Sequence, residues 1–335
     1  MNGVEPMNTR TILLSLALML TAFPLASAAS PGTFEGSGDT MSALQRGTYM
    51  SFVGIGLAFV ATAFFLFMER NDVHRDLRPA LGVGVMIVGI AGFQYNLMAE
   101  SYLFDGSIPT DFRYADWFST VPLMALCFPL VAGRKAYTNK RLFDLPGLSV
   151  PGLIMIGAFF MIASGYLGQV ELDAALKAGT DPASIHWYWF AQGMLGYLGV
   201  IVIAGTPFTG AYGLDDTKVT DTSLRTALSR MRKLILVGWL IYPVGYVLGA
   251  MGSGVEEMVL AYNVADLVNK VGFVIIVWHG VRNAESSRAL AHDMEAGFHT
   301  LAHAEDKQDN APSDDLLAIA AMSRGETVEE PEDDL

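Results

Sequence analysis

Seven apolar stretches, each about as long as a bilayer is thick, recur near residues 42–68, 77–103, 112–133, 147–169, 184–207, 226–251 and 257–283. A helix needs roughly 20 apolar residues to cross the hydrocarbon core, and inside it every backbone N–H and C=O must find a partner within the protein. Open sheet edges fail that condition. The expected fold is therefore all-α, a seven-transmembrane-helix bundle over residues 42–284 in contact with the lipid bilayer. Composition agrees: 52% of residues are hydrophobic, 16% are charged and mean hydropathy is +0.37, whereas soluble domains carry roughly 25% charged residues.

The connections assign an orientation. Lys and Arg cluster in "ERNDVHRDLRP", "AGRKAYTNKRLF" and "LRTALSRMRK", which alternate with "FDGSIPTD", "GQVELDAALKAGTDPASIH" and "GSGVEE", where Lys177 is the one basic residue. The positive-inside rule puts the first group in the cytoplasm and the N-terminus outside. Ahead of the bundle, "TILLSLALMLTAF" follows Arg10 and ends near "ASA" at Ala26 to Ala28, the pattern of a cleavable signal peptide over 1–28; the alternative is an additional transmembrane helix. The Pro/Gly/Ser-rich "SPGTFEGSGDT" reads as a flexible linker over 29–41. A multi-pass protein of the bacterial inner membrane is expected.

Residues 285–335 hold fourteen Asp and Glu against Arg288, Lys307 and Arg324, or −11 of the chain's net −13. The membrane core is thus nearly neutral. The tail reads as acidic, cytoplasmic and largely disordered, an arm available to a cytoplasmic partner. It contains no recognisable catalytic module, so no enzymatic activity is expected, nor a nucleic-acid partner. Cys127 is the single cysteine, which excludes an internal disulfide and argues against a cysteine-based metal site; no metal is expected.

Two ionisable residues stand in the last apolar stretch. Asp266 and Lys270 in "YNVADLVNKVGFVIIVWHG" are four apart and share a helix face. Such groups cost about 3 kcal/mol each at the centre of an inserted helix. Only the third stretch carries comparable charge: in "RYADWFSTVPLMALCF", Arg113, Asp116 and Thr120 fall at spacings of three and four. Charge alone leaves open a structural ion network, an ion-coupled transport site and a covalent lysine. The aromatics favour the last. Trp117 adjoins Asp116, and "GWLIYPVGY" sets Trp239, Tyr242 and Tyr246 along one side of a helix loosened at Pro243. Two tryptophans on separate helices flanking a lysine suit a flat, elongated apolar ligand held between rings.

The motifs "RYADWxxTxPL", "GWxIYPVGY" and "YNxADxVNK" together resemble the microbial rhodopsins, the proteorhodopsin branch in particular, and the resemblance covers all seven stretches in order and spacing. It implies all-trans retinal held as a protonated Schiff base on Lys270. Asp116 would be principal counterion and proton acceptor and Asp266 the second counterion, with Arg113 and Thr120 in support. Trp117, Trp239, Tyr242, Pro243 and Tyr246 would line the pocket. Met124 falls at the colour-tuning position, where an apolar residue goes with green absorption. Relatives assemble as pentamers or trimers, so a homo-oligomer is implied.

Two positions depart from the pattern. Eleven residues after Asp116, where pumping relatives place a carboxylic donor, stands Cys127. A thiol ionises near pH 8.5, far above a carboxyl group, and so surrenders a proton less readily. Slow reprotonation is expected, with Cys127 either a weak donor or simply a small packed residue. Gln94 stands where that branch has a histidine paired with the acceptor; it can hydrogen-bond to Asp116 but cannot titrate. The favoured activity is a light-driven outward proton pump carrying protons. A sensory rhodopsin with a long-lived signalling state is the alternative, and a passive channel is disfavoured because nothing suggests a continuous polar pore.

Overall fold

The computed structural model describes residues 32–137, 149–205, 213–252 and 254–287. Two compact units are distinguished, residues 1–285 and 286–335. The expected signal peptide and nearly all of the acidic tail lie outside the described residues.

Among the described residues of the first unit, seven long helical segments follow one another: α1 (Ala43–Glu69), α2 (Arg78–Asp105), α3 (Thr110–Ala132), α4 (Val150–Ala178), α5 (Tyr188–Ala204), α6 (Thr222–Ala250) and α7. The last opens as Val255–Asp266, passes through a π-helical turn at Leu267–Val271 and continues as helix over 272–287. Six of the seven are long and apolar enough to cross a membrane, and α5 is an apolar helix of 17 residues, about 25 Å at 1.5 Å per residue. Consecutive helices pack side by side, and α7 closes the ring against α1. The outer surface is apolar: Phe93, Leu195, Val237 and Met251 are all more than half exposed. Bulky apolar groups facing outward are unfavourable in water and fit lipid.

The local signals explain the ends. Ser42 caps α1 in a reciprocal box with Gln45, and the Asp221 side chain accepts from the N–H groups of Ser223 and Leu224 at the start of α6. α4 runs further than the apolar count implied, to Ala178 rather than 169. Its added turns, "VELDAALKA", are strong helix formers whose Leu172 is buried, and Gly179 ends them in the left-handed region (φ 65°).

The expected linker over 29–41 is ordered where it is described. Thr33 and Thr40 bridge, and the N–H groups of Glu35 and Gly36 donate to the C=O groups of Leu103 and Phe104 at 3.0 and 2.6 Å. Carbonyls at a helix C-terminus lack intrahelical donors, and this turn supplies them for α2. Gly106 caps the same end at φ 72°, and a Cβ there would come within 2.8 Å of the buried Phe34 ring. At the far end of α2, α7 is fastened to α1 and the following loop: Trp278 Nε1 donates to Glu69 Oε2 at 2.9 Å and Arg282 Nη1 to the Asp72 carbonyl at 2.8 Å.

Candidate functional site

The centre of the bundle is charged. The Lys270 ammonium donates to Asp116 Oδ2 at 2.6 Å and to Asp266 Oδ2 at 2.8 Å, and all three side chains are at most 2% exposed. A buried cation between two anions is held by low-dielectric Coulomb attraction as well as by the hydrogen bonds. The rings of Phe59 and Tyr95 lie 5.7 and 6.0 Å from Nζ, adding cation–π attraction.

The two carboxylates differ in their other partners. Asp266 also accepts from Tyr242 OH at 2.6 Å, Tyr95 OH at 3.0 Å and Trp117 Nε1 at 3.2 Å. Asp116 receives only Lys270 on Oδ2, and its Oδ1 is buried without a partner. Four donors around Asp266 solvate it as an anion; a proton would displace at least one of them. Asp116 has a free oxygen on which a proton costs no existing bond.

Lys270 reaches this point from the π-helical turn Leu267–Val271, a local rewinding typical of functional positions. Asp116 and Thr120 face it from α3, with the Thr120 hydroxyl donating to the Asp116 carbonyl at 2.9 Å. Above the ion cluster lies an apolar cavity lined by Trp117, Met124, Trp239, Tyr242, Pro243 and Tyr246, with Lys270 and Asp266 also on its wall. All the expected lining residues meet there. Gly165, Gly168 and Gly193 of α4 and α5 complete the wall, where their lack of side chains leaves width for a ligand. Phe190 also lines it, stacked on Tyr246 at 5.8 Å between ring centroids.

Two expected contacts take a different form. Arg113 makes no hydrogen bond to either carboxylate; its Nη2 donates to Asn263 Oδ1 at 2.8 Å and it lies over the rings of Phe52 and Tyr262. It therefore acts on the acids through space. Gln94 does not bond to Asp116: Gln94 Oε1 and Asp116 Oδ1 are both buried without partners. The carboxylate turns to the ammonium instead, whose charge-assisted bond is the stronger. Cys127 is fully buried in α3. His186, just before α5, pairs with Glu171 of α4, as suits a residue at a helix start.

Tyr95, Asn263 and Asn269 also belong to the site, with no signal in the sequence to mark them. The asparagines lie inside a motif read for its charges alone, and Tyr95 neighbours Gln94 in α2.

Residues 45–284 match the family model described as bacteriorhodopsin-like protein. The chain belongs to that family. Among its relatives, the green-light absorbing proteorhodopsin of gamma-proteobacterium EBAC31A08 is 30% identical over 268 residues, 79% of this chain and 98% of the relative. The blue-light absorbing proteorhodopsin of gamma-proteobacterium Hot 75m4 is 31% identical over 278 residues, 82% of this chain and 98% of the relative. The crystal structure of Exiguobacterium sibiricum rhodopsin superposes with a TM-score of 0.60 at 28% identity, covering 73% of this chain and 99% of that one. A multi-pass, all-helical membrane protein of the bacteriorhodopsin-like kind is thus the setting for the ion cluster.

Proposed function

We propose that the protein is a light-driven outward proton pump of the bacterial inner membrane, with retinal joined to Lys270. The observation that carries the reading is the Lys270 amine set between two unequally satisfied carboxylates at the base of an apolar aromatic cavity. The residues suit the group: a buried primary amine for the aldehyde, two anions to hold the resulting cation, and rings and glycines to enclose a flat polyene. Retinal supplies light absorption and a double-bond isomerisation.

The remaining roles fall to the protein's own side chains. Asp116 Oδ2, 2.6 Å from Lys270 Nζ, takes the proton from that nitrogen. Asp266, held by Tyr95, Tyr242 and Trp117, stays ionised and keeps the site from accumulating positive charge. Thr120 ties down the turn that carries Asp116, and Arg113 balances the two anions from a distance. Asp116 is six residues into α3, whereas Lys270 is fifteen into α7, so the proton moves toward the end that bears the α2–α3 and α6–α7 connections. Those connections are poor in Lys and Arg, and the positive-inside rule supports assigning that end to the outside.

Illumination of unbuffered cells expressing the protein with added retinal should acidify the medium, and an uncoupler should abolish the signal. Alkalinisation would reverse the assigned direction. Light-dependent absorbance changes without any pH change would favour the sensory reading.

Cys127 gives this pump a slow return. A buried thiol is a poor proton donor, so Lys270 is reprotonated from cytoplasmic water. Cys127→Asp, which places a carboxyl group at that position, is expected to speed recovery of the initial absorbance by roughly 100-fold or more, the scale of a positioned acid. Unchanged recovery would contradict this role for position 127.

A further inference from the structure

The neighbour of Lys270 links the ion cluster to an interruption in α6. That helix is continuous over Thr222–Gly238 and again over Ile241–Ala250, with Trp239 and Leu240 between. Pro243 explains the break, since it has no N–H to give the carbonyl of Trp239. The Tyr242 N–H goes to Trp239 at 3.3 Å rather than to Gly238, its partner in an uninterrupted helix. The Gly238 carbonyl is taken by α7: Asn269 Nδ2 donates to it at 2.9 Å.

The same amide nitrogen donates to Tyr242 OH at 3.2 Å, and Tyr242 OH donates to Asp266 Oδ1 at 2.6 Å. Occupying an oxygen lone pair of Tyr242 leaves its single proton to point at the carboxylate. Asn269 Oδ1 is buried without a partner, so the side chain is held by its donor end. Glycine at 238 permits the approach: a Cβ there would overlap Asn269 Oδ1. Tyr262 OH donates to the Tyr242 carbonyl at 2.8 Å, a second tie between α7 and this part of α6 that does not touch the hydroxyl.

We propose that Asn269 is a positioning residue whose amide bridges the α6 break to Asp266, fixing Tyr242 as a hydrogen-bond donor to the second carboxylate. The inference rests on the pump reading only for its spectral consequence; the bridge itself is a property of the polypeptide. Asn269→Leu keeps the branched shape and removes both donors. Gly238→Ala keeps the donors and pushes the amide away.

Two measurements test this. The first is hydrogen exchange of the 238–246 backbone in the protein without retinal. Each single substitution should speed exchange there, and the double substitution should add little, because both break one link. Unchanged exchange in Asn269→Leu, or fully additive effects, would overturn the bridge whatever the protein does with light. The second is the visible band with retinal. Tyr242 donation spreads the Asp266 charge, and its loss concentrates that charge beside the cation, so Asn269→Leu should shift the band to shorter wavelength, as should Tyr242→Phe. In the Tyr242→Phe background, Asn269→Leu should shift the band no further. A full second shift would mean that Asn269 acts by packing rather than through Tyr242. A colourless wild type would sink the pump reading and leave the exchange result standing.

Discussion

Asp116→Asn is expected to reduce light-driven acidification to background, a loss of roughly 100-fold or more on the scale of a removed proton-transfer group. The substitution isolates one property. Asparagine has nearly the shape of aspartate, and its Oδ1 can accept from Lys270 as Asp116 Oδ2 does at 2.6 Å, but it takes no proton. Asp266 does not replace it, because its oxygens already accept from Tyr95, Tyr242 and Trp117. The visible band should move to longer wavelength as one of two anions beside the cation is lost, and that shift verifies that the variant is folded and loaded. Acidification per molecule equal to wild type would transfer the acceptor role elsewhere.

Lys270→Ala carries the second large effect. It leaves Asp116 and Asp266 facing each other in a site that is at most 2% exposed. Removing one partner of a buried ion pair costs about 3–5 kcal/mol because the remaining charge is uncompensated. Protein without retinal should lose about that much stability in detergent unfolding, and Lys270→Ala/Asp116→Asn should recover part of it, since one anion then suffices for the donors present. Equal stability of wild type and Lys270→Ala would mean that the cluster is not ionised as described.

Much of this was legible in the sequence because lipid restricts the choices. Seven apolar stretches admit little but a helix bundle, and an intramembrane Asp266 four residues before Lys270 demands a partner, which the Arg113, Asp116 and Thr120 spacing supplied. The residues Trp117, Met124, Trp239, Tyr242, Pro243 and Tyr246 line one cavity. What stayed hidden depends on side-chain direction. Spacing puts Arg113 on the face of Asp116, yet its guanidinium turns to Asn263. Gln94 is close in pattern but spends no bond on Asp116. Neutral amides carry no signature of their partners, so Asn263 and Asn269 became visible only with the fold. Hydropathy also stops at the membrane edge, which is why α4 outran its apolar core to Ala178.

The proposed pump requires that Lys270, and no other amine, hold the polyene. Wild-type protein reconstituted with retinal, treated with borohydride to reduce the C=N bond, digested and weighed by mass spectrometry should carry one retinyl group on the peptide containing Lys270, and Lys270→Ala should carry none. A retinyl group on another lysine, or its absence from a coloured wild-type protein, would contradict it.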